Sequence, residues 1–272
     1  MHVDLIFEQG SGQINEDFHC RNENLFGVFD GATSLTSARY TNNLTGGFLA
    51  AALAGQTFRA NNDSLINLAK KANRAIRRAM VENGVDLRDK GGLWCTSAAV
   101  VRLLKDSLEW VQIGDCLLMV IYDDGRHELL MDNFDHDLET LKLWKARSRN
   151  TNDGIFTALA EKIMETRANQ NVTYGVLNGE EEALPFLKFG RESLRRVRHV
   201  LLFTDGLFVP KSELEERGDF SLLATLFLEG GLARIRDAIR AMERSDVDCR
   251  RYPRFKTHDD IAAFAITLND AS

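Results

Sequence analysis

The stretch Leu25-Phe26-Gly27-Val28-Phe29-Asp30-Gly31-Ala32-Thr33 decides how this chain is read. It is a short apolar run that ends abruptly in an Asp-Gly pair. Such a pair holds a carboxylate at a strand tip while the glycine lets another group approach the backbone closely. The same design recurs at Leu201-Leu202-Phe203-Thr204-Asp205-Gly206. Val111-Gln112-Ile113-Gly114-Asp115 and Thr257-His258-Asp259-Asp260-Ile261 also set Asp where an apolar run begins or ends, and Asn15-Glu16-Asp17 follows the first strand. Brought together in space, carboxylates of this kind repel one another unless a cation stands among them.

Outward from that stretch, residues 3–7 and 25–29 read as strands, and the polar, glycine-bearing loop 9–17 between them delivers Glu16 and Asp17. Thr33-Ser34 is placed to cap a helix over residues 36–53, where Tyr40, Leu44 and Phe48 recur at helical spacing. Asp63 or Ser64 caps a second helix, whose apolar face is formed by Leu65, Leu68, Ala72, Ile76 and Met80 and whose solvated face is basic. From 96 to 131 four β-rich runs separated by Lys-Asp, Gly-Asp and Asp-Asp-Gly predict an antiparallel meander rather than a doubly wound parallel sheet. Residues 132–190 read as an insertion or flap, with a helix over 154–168 and a strand and turn over 174–179. A buried strand at 201–203, helices over 221–228 and 231–244, and a last strand over 261–268 complete the chain. Without repeats or a linker, residues 1–272 are expected to form a single domain.

Composition narrows the function. The 272 residues are 44% hydrophobic, enough for a large core, and carry a net charge of −6, so the broad cationic field that nucleic acid or acidic lipid demands is missing. Four scattered cysteines form no CxxC pair and argue for a reducing compartment and against structural zinc. The N-terminus has no basic-then-apolar leader and no apolar segment reaches about 18 residues, so a soluble cytoplasmic protein is expected, with no membrane partner. Oxygen-rich acidic tips suit hard divalent ions, Mg²⁺ or Mn²⁺, and two such ions roughly 3.5–4 Å apart share carboxylates and a bridging water in phosphate-cleaving enzymes.

Six pieces stand in one order: Asn15-Glu16-Asp17, Val28-Phe29-Asp30-Gly31, Thr96-Ser97-Ala98-Ala99-Val100, Ile113-Gly114-Asp115, Leu202-Phe203-Thr204-Asp205-Gly206 and Asp259-Asp260-Ile261-Ala262. In that order the chain resembles the PP2C-type (PPM) metal-dependent protein serine/threonine phosphatases, in a bacterial-like, divergent form. The resemblance implies an α+β fold, a PP2C-like β-sandwich of two antiparallel sheets flanked by α-helices in αββα layers. It also implies hydrolysis of phosphoserine or phosphothreonine esters by a water or hydroxide bridging two divalent cations. Carried over position by position, Asp30 matches the carboxylate shared by both metals, with the Gly31 carbonyl as a further ligand. Asp205 and Asp259 match the remaining ligands of the second metal, and Glu16 and Asp17 would act through metal-bound waters. Asp115 matches a position that helps bind a weaker third ion together with Asp205.

Two departures stand out. Where the family has a phosphate-clamping arginine, this chain has Gly12, and its Asp-Gly-His is here Asp30-Gly31-Ala32. Thr33, Ser34, Arg254, Lys256 and His258 are the candidate replacements. The same departures define the alternatives: a catalytically weak or inactive PP2C-like regulatory or binding module, or a phosphatase of a small phosphoester rather than a phosphorylated protein. An aspartyl-phosphate mechanism needs a second Asp two residues after Asp30, where Ala32 stands. No phosphate-binding glycine loop and no GxSxG elbow is present. The three tryptophans read as core or boundary aromatics, with Trp144 a marker of a partner surface on the flap.

Overall fold

The structure is a computed structural model that describes the chain except residues 33, 34, 36, 37, 132–134, 152, 215–218 and 269–272. Among the described residues the chain runs through β1 (His2–Glu8), β2 (Phe18–Asn22), β3 (Leu25–Gly31), α1 (Gly46–Arg59), α2 (Leu65–Glu82), β4 (Thr96–Leu103), β5 (Ser107–Ile113), β6 (Leu117–Tyr122) and β7 (His127–Leu129). It continues through α3 (Leu138–Arg147), α4 (Ile155–Ala158), α5 (Ala160–Ala168), β8 (Lys188–Ser193), β9 (Val197–Phe203), α6 (Ser221–Arg244) and β10 (Ile261–Thr267). Two five-stranded sheets result, one in the order β1-β10-β9-β6-β7 and the other β2-β3-β4-β5-β8, with every pairing antiparallel.

Side chains alternate along a strand, so a strand covered on both faces serves two cores at once. In β3, Leu25 and Phe29 pack toward α1 and α2, while Phe26 and Val28 pack between the sheets. In β9, Leu201 and Phe203 face α6 and Val200 and Leu202 face inward; β10 alternates likewise. The expected αββα layers are therefore present. Each fully buried Leu, Ile, Val or Phe contributes about 1.5–3 kcal/mol, and the layers between them hold dozens of apolar side chains.

Several elements differ from the sequence reading. The first long helix begins at Gly46, not residue 36, because Thr45 is its N-cap and accepts from the Phe48 amide at 3.2 Å. The proposed caps Thr33 and Ser34 lie outside the described residues. Ser64 does cap α2, accepting from Asn67 at 3.2 Å. The run from 96 to 131 is not one meander: β4 and β5 belong to one sheet, β6 and β7 to the other, and the Gly114-Asp115 corner passes the chain across. Strand β8 gave no alternating signal because it is a mostly exposed, polar edge strand, and β2 and α3 were likewise missed. Residues 174–179 make no strand, only isolated bridges from Leu177 to Thr96 and from Tyr174 to Gln170. The helix expected over 154–168 breaks at Leu159, whereas the two helices expected near the C-terminus are present, joined within α6 by a non-helical kink at Gly230 and Gly231.

Helices α3 to α5 carry their own small core, with Trp144, Ile155, Leu159 and Ile163 buried together and Phe255 packed against them. Trp144 is 2% exposed and donates its indole N–H to the Cys249 carbonyl at 2.7 Å, so it is a core residue and not a partner surface. Among the described residues, no helix is long and apolar enough to cross a membrane.

Arg240 fixes α6 to the end of the first sheet where β1 stops and β10 begins. Buried at 6% exposure, it donates to Glu8, Glu243 and the Asp259 carbonyl, each at 2.8 Å. Removing one member of a buried charged network leaves the others poorly compensated. Arg240→Ala is therefore expected to cost about 3 kcal/mol in urea unfolding; a loss under about 1 kcal/mol would show that the network is not structural.

Candidate metal centre

Asp30 lies on the same face of β3 as Phe26 and Val28, so the alternation that buries those two between the sheets points the carboxylate inward where the sandwich opens. Gly31 follows because nothing larger fits. A Cβ there would collide with the Gly47 carbonyl and lie 2.6 Å from the Glu16 carbonyl, which accepts the Gly31 amide at 3.2 Å. Gly206 meets the same demand after β9, where a Cβ would strike the Asp260 carbonyl. The close approach read from both Asp-Gly pairs is the one the backbone makes.

Loop 9–17 is fastened from the far end of the chain. Asp260 is 4% exposed and its carboxylate accepts the Gly10 amide at 2.7 Å and the Glu16 amide at 2.8 Å. This leaves Asp17 buried, with its Oδ2 accepting the Thr204 hydroxyl at 2.7 Å. Glu16 is buried with Oε1 beside Gly47 at the start of α1. Asp115 sits on the corner between the sheets, its amide donating to Ser97 Oγ at 3.4 Å.

The carboxylates act on one another. Burial pushes Asp17 well above the usual carboxylate range, against the Thr204 hydrogen bond, and Asp205, Asp259 and Asp260 push it further. Burial also raises Asp30, with Asp17, Asp115 and Asp259 adding repulsion. Asp205 is raised by burial, then by Asp30, Asp259 and Asp115, and its carboxyl hydrogen-bonds that of Asp30. The structure thus brings Asp17, Asp30, Asp115, Asp205 and Asp259 into a single acidic cluster.

Asp30 and Gly31 line a cleft of about 110 Å³ together with Asp115, Asp205 and Asp259. Among the described residues no three His, Cys, Asp or Glu side chains already converge as a ligand set; Asp259 holds the Lys256 ammonium at 2.8 Å and Asp205 holds Asp30. The donor chemistry nevertheless fits small hard cations: all donors are oxygen, and the repulsion that raises Asp30 and Asp205 is what a divalent ion relieves.

Of the basic residues offered as replacements, Lys256 reaches the cluster. Arg254 is engaged by Asp246 at 2.8 Å and by the backbone carbonyls of Glu243, Tyr252 and Thr257, and His258 Nδ1 lies 2.7 Å from Glu243. Gly12 is exposed in its loop, its carbonyl accepting from Gln9 at 2.7 Å. The sequence reading missed residues that the helical layer brings to the cleft. His136 stacks on Tyr174 with ring centroids 4.1 Å apart and places Nε2 3.5 Å from Asp137 and 3.9 Å from Asp115. Arg167 lines the same cleft. The Asp135-His136-Asp137 triplet was the available signal; a lone Arg on an amphipathic helix gives none.

The sequence matches the family described as Protein phosphatase 2C over residues 8–238, and the chain belongs to that family. Solved structures agree on the fold. Serine/threonine phosphatase Stp1 from Staphylococcus aureus is 13% identical with a TM-score of 0.61, covering 98% of this chain and 94% of its own. The serine/threonine phosphatase PstP/Ppp of Mycobacterium tuberculosis is 15% identical with a TM-score of 0.61, covering 98% of each chain. The catalytic domain of serine/threonine protein phosphatase PstP in complex with two manganese ions is 14% identical with a TM-score of 0.60, again covering 98% of each. A search of curated proteins finds no match.

The raised carboxyls set a pH dependence for the metal-free protein. Their folded values lie above the unfolded value of about 3.9, so the folded state keeps protons that the unfolded chain has released. Their contribution to stability is complete below about pH 4 and is lost as pH rises toward the raised values. In chelator at pH 7, Asp30→Asn should therefore melt roughly 2–4 °C above the parent, a gain of about 1 kcal/mol, and the difference should vanish near pH 4. Calorimetry showing the variant less stable at pH 7 would contradict this.

Proposed function

We propose that the chain is one phosphatase domain that hydrolyses phosphate monoesters of serine and threonine side chains with the help of two divalent cations, Mg²⁺ or Mn²⁺. The observation that carries the reading is the acidic cluster itself. Asp30, Asp115, Asp205 and Asp259 come from distant points of the chain to one cleft, Asp17 is buried beside them, and burial plus mutual repulsion raise Asp17, Asp30 and Asp205. The manganese-bound state of a similarly folded phosphatase supports the same assignment of metals.

In this reading Asp30, the Gly31 carbonyl, Asp205 and Asp259 would hold the two ions. Glu16 and Asp17 would act through bound water, and Asp115 would serve a weaker third ion with Asp205. When bound, the ions supply Lewis acidity toward water and the phosphoryl oxygens. The chain's own residues position that chemistry. Thr204 orients Asp17, Asp260 fixes the loop that carries Glu16, and close backbone packing at Gly31 and Gly206 holds each Asp-Gly tip in place. No covalent enzyme intermediate is required. The four cysteines are all buried and unpaired, which fits the reducing cytoplasm.

Gly12 and Ala32 favour a second reading, a regulatory or binding module on the same scaffold, and leave a small phosphoester open as substrate. The deciding assay is Mn²⁺-dependent hydrolysis of p-nitrophenyl phosphate and of a phosphothreonine peptide. Turnover is expected with both, and Asp30→Asn and Asp205→Asn should each lower kcat about 10³-fold, the loss of several kcal/mol of charge stabilisation. Absence of metal-dependent turnover with either ester would remove the enzyme and leave the module.

A further inference from the structure

The cleft over Asp30 has two unlike walls. One is the acidic cluster; the other carries two cations, Lys256 from the loop before β10 and Arg167 from the last turn of α5. Two divalent ions on the acidic side would offset most of its charge and free the two cations to meet a phosphoryl dianion; Asp137 also lines the cleft. Neither cation stands where the family resemblance places a phosphate arginine, since Gly12 lies in an exposed loop.

Each cation is held by a partner that suits this use. Arg167 donates Nη1 to Cys95 Sγ at 3.0 Å, and Cys95 immediately precedes Thr96, the β4 residue paired with Gly31. The guanidinium is thus held within reach of the strand tip that carries Asp30. A thiol is a weak acceptor that a phosphate oxygen outcompetes, while Asp137 and Tyr174 also act on the guanidinium and keep it at the cleft. Lys256 lines the cleft and donates to Asp259 at 2.8 Å, which places its ammonium beside the acids. Its neighbour Phe255 packs into the helical layer, so one short segment anchors in the α3–α5 core and presents its cation to the acids.

We infer that Arg167 and Lys256 together form the phosphate clamp of this chain, the arginine gripping two phosphoryl oxygens and the lysine acting as a point charge. The inference rests on the phosphatase reading for its substrate, but its test is one of binding. Calorimetry with inorganic phosphate on the magnesium-loaded protein should show uptake by the parent and roughly tenfold weaker uptake by Arg167→Ala and by Lys256→Met, the loss of a charge-assisted contact. Arg167→Lys keeps the charge without the fork and should recover only part of the affinity; it also carries the test if Arg167→Ala does not fold. With p-nitrophenyl phosphate, KM should rise in step. Manganese uptake should be unchanged in Arg167→Ala and tighter in Lys256→Met, where the ammonium no longer competes for Asp259.

A parent that binds no phosphate, or variants whose phosphate affinity stays within about twofold of the parent, would overturn the clamp. The two readings fail separately. Metal-dependent turnover with phosphate affinity indifferent to both substitutions sinks the clamp alone. Phosphate uptake lost in the variants of a chain that turns over no ester sinks the hydrolase and leaves the clamp.

Discussion

Repulsion among buried carboxylates is the constraint around which this molecule is arranged. Asp17, Asp30 and Asp205 sit where burial and their neighbours both disfavour charge, and an isolated set of this kind would relax apart. It is held because each acid is the continuation of a strand or loop locked elsewhere. Phe26 and Val28 fix Asp30 through β3, Val200 and Leu202 fix Asp205 through β9, and Asp260 fixes the loop of Asp17 through two backbone amides. The three-layer apolar core supplies the stability against which the acidic tips are maintained.

The parts of this arrangement that were readable in the sequence are those written in local patterns. The Asp-Gly tips, the amphipathic α2 with its Ser64 cap, and the buried strands β3, β9 and β10 all carry their own periodicity, and the ordered acidic motifs led to the family to which the chain belongs. What was not readable depends on partners distant in sequence. Strand β8 exists because β5 offers it an edge, not because its own residues alternate. The Gly114-Asp115 corner looks like a hairpin turn until the two sheets are known to be separate. Asp260 looked like a twin of Asp259, yet it is a clip for the backbone of residues 10 and 16.

The basic residues show the same limit. Arg254, Lys256 and His258 are equivalent on paper, being close neighbours beside Asp259. In space, α6 and the turn after it claim two of them, through Glu243 and Asp246, and only Lys256 bonds into the cleft. Arg167 reaches it from a helix far along the chain, a proximity that no local pattern encodes.

The clip made by Asp260 also bears on when the acidic centre can exist at all. Its two hydrogen bonds span 250 and 244 positions of the chain, and β1 pairs directly with β10. A nascent chain still lacking its final strand has neither the edge that receives β1 nor the anchor for the loop bearing Asp17. Assembly of the centre must wait until synthesis has passed residue 260, and such long-range closure is slow. Partial translation products and fragments cut before that point are thereby barred from carrying a formed acidic centre.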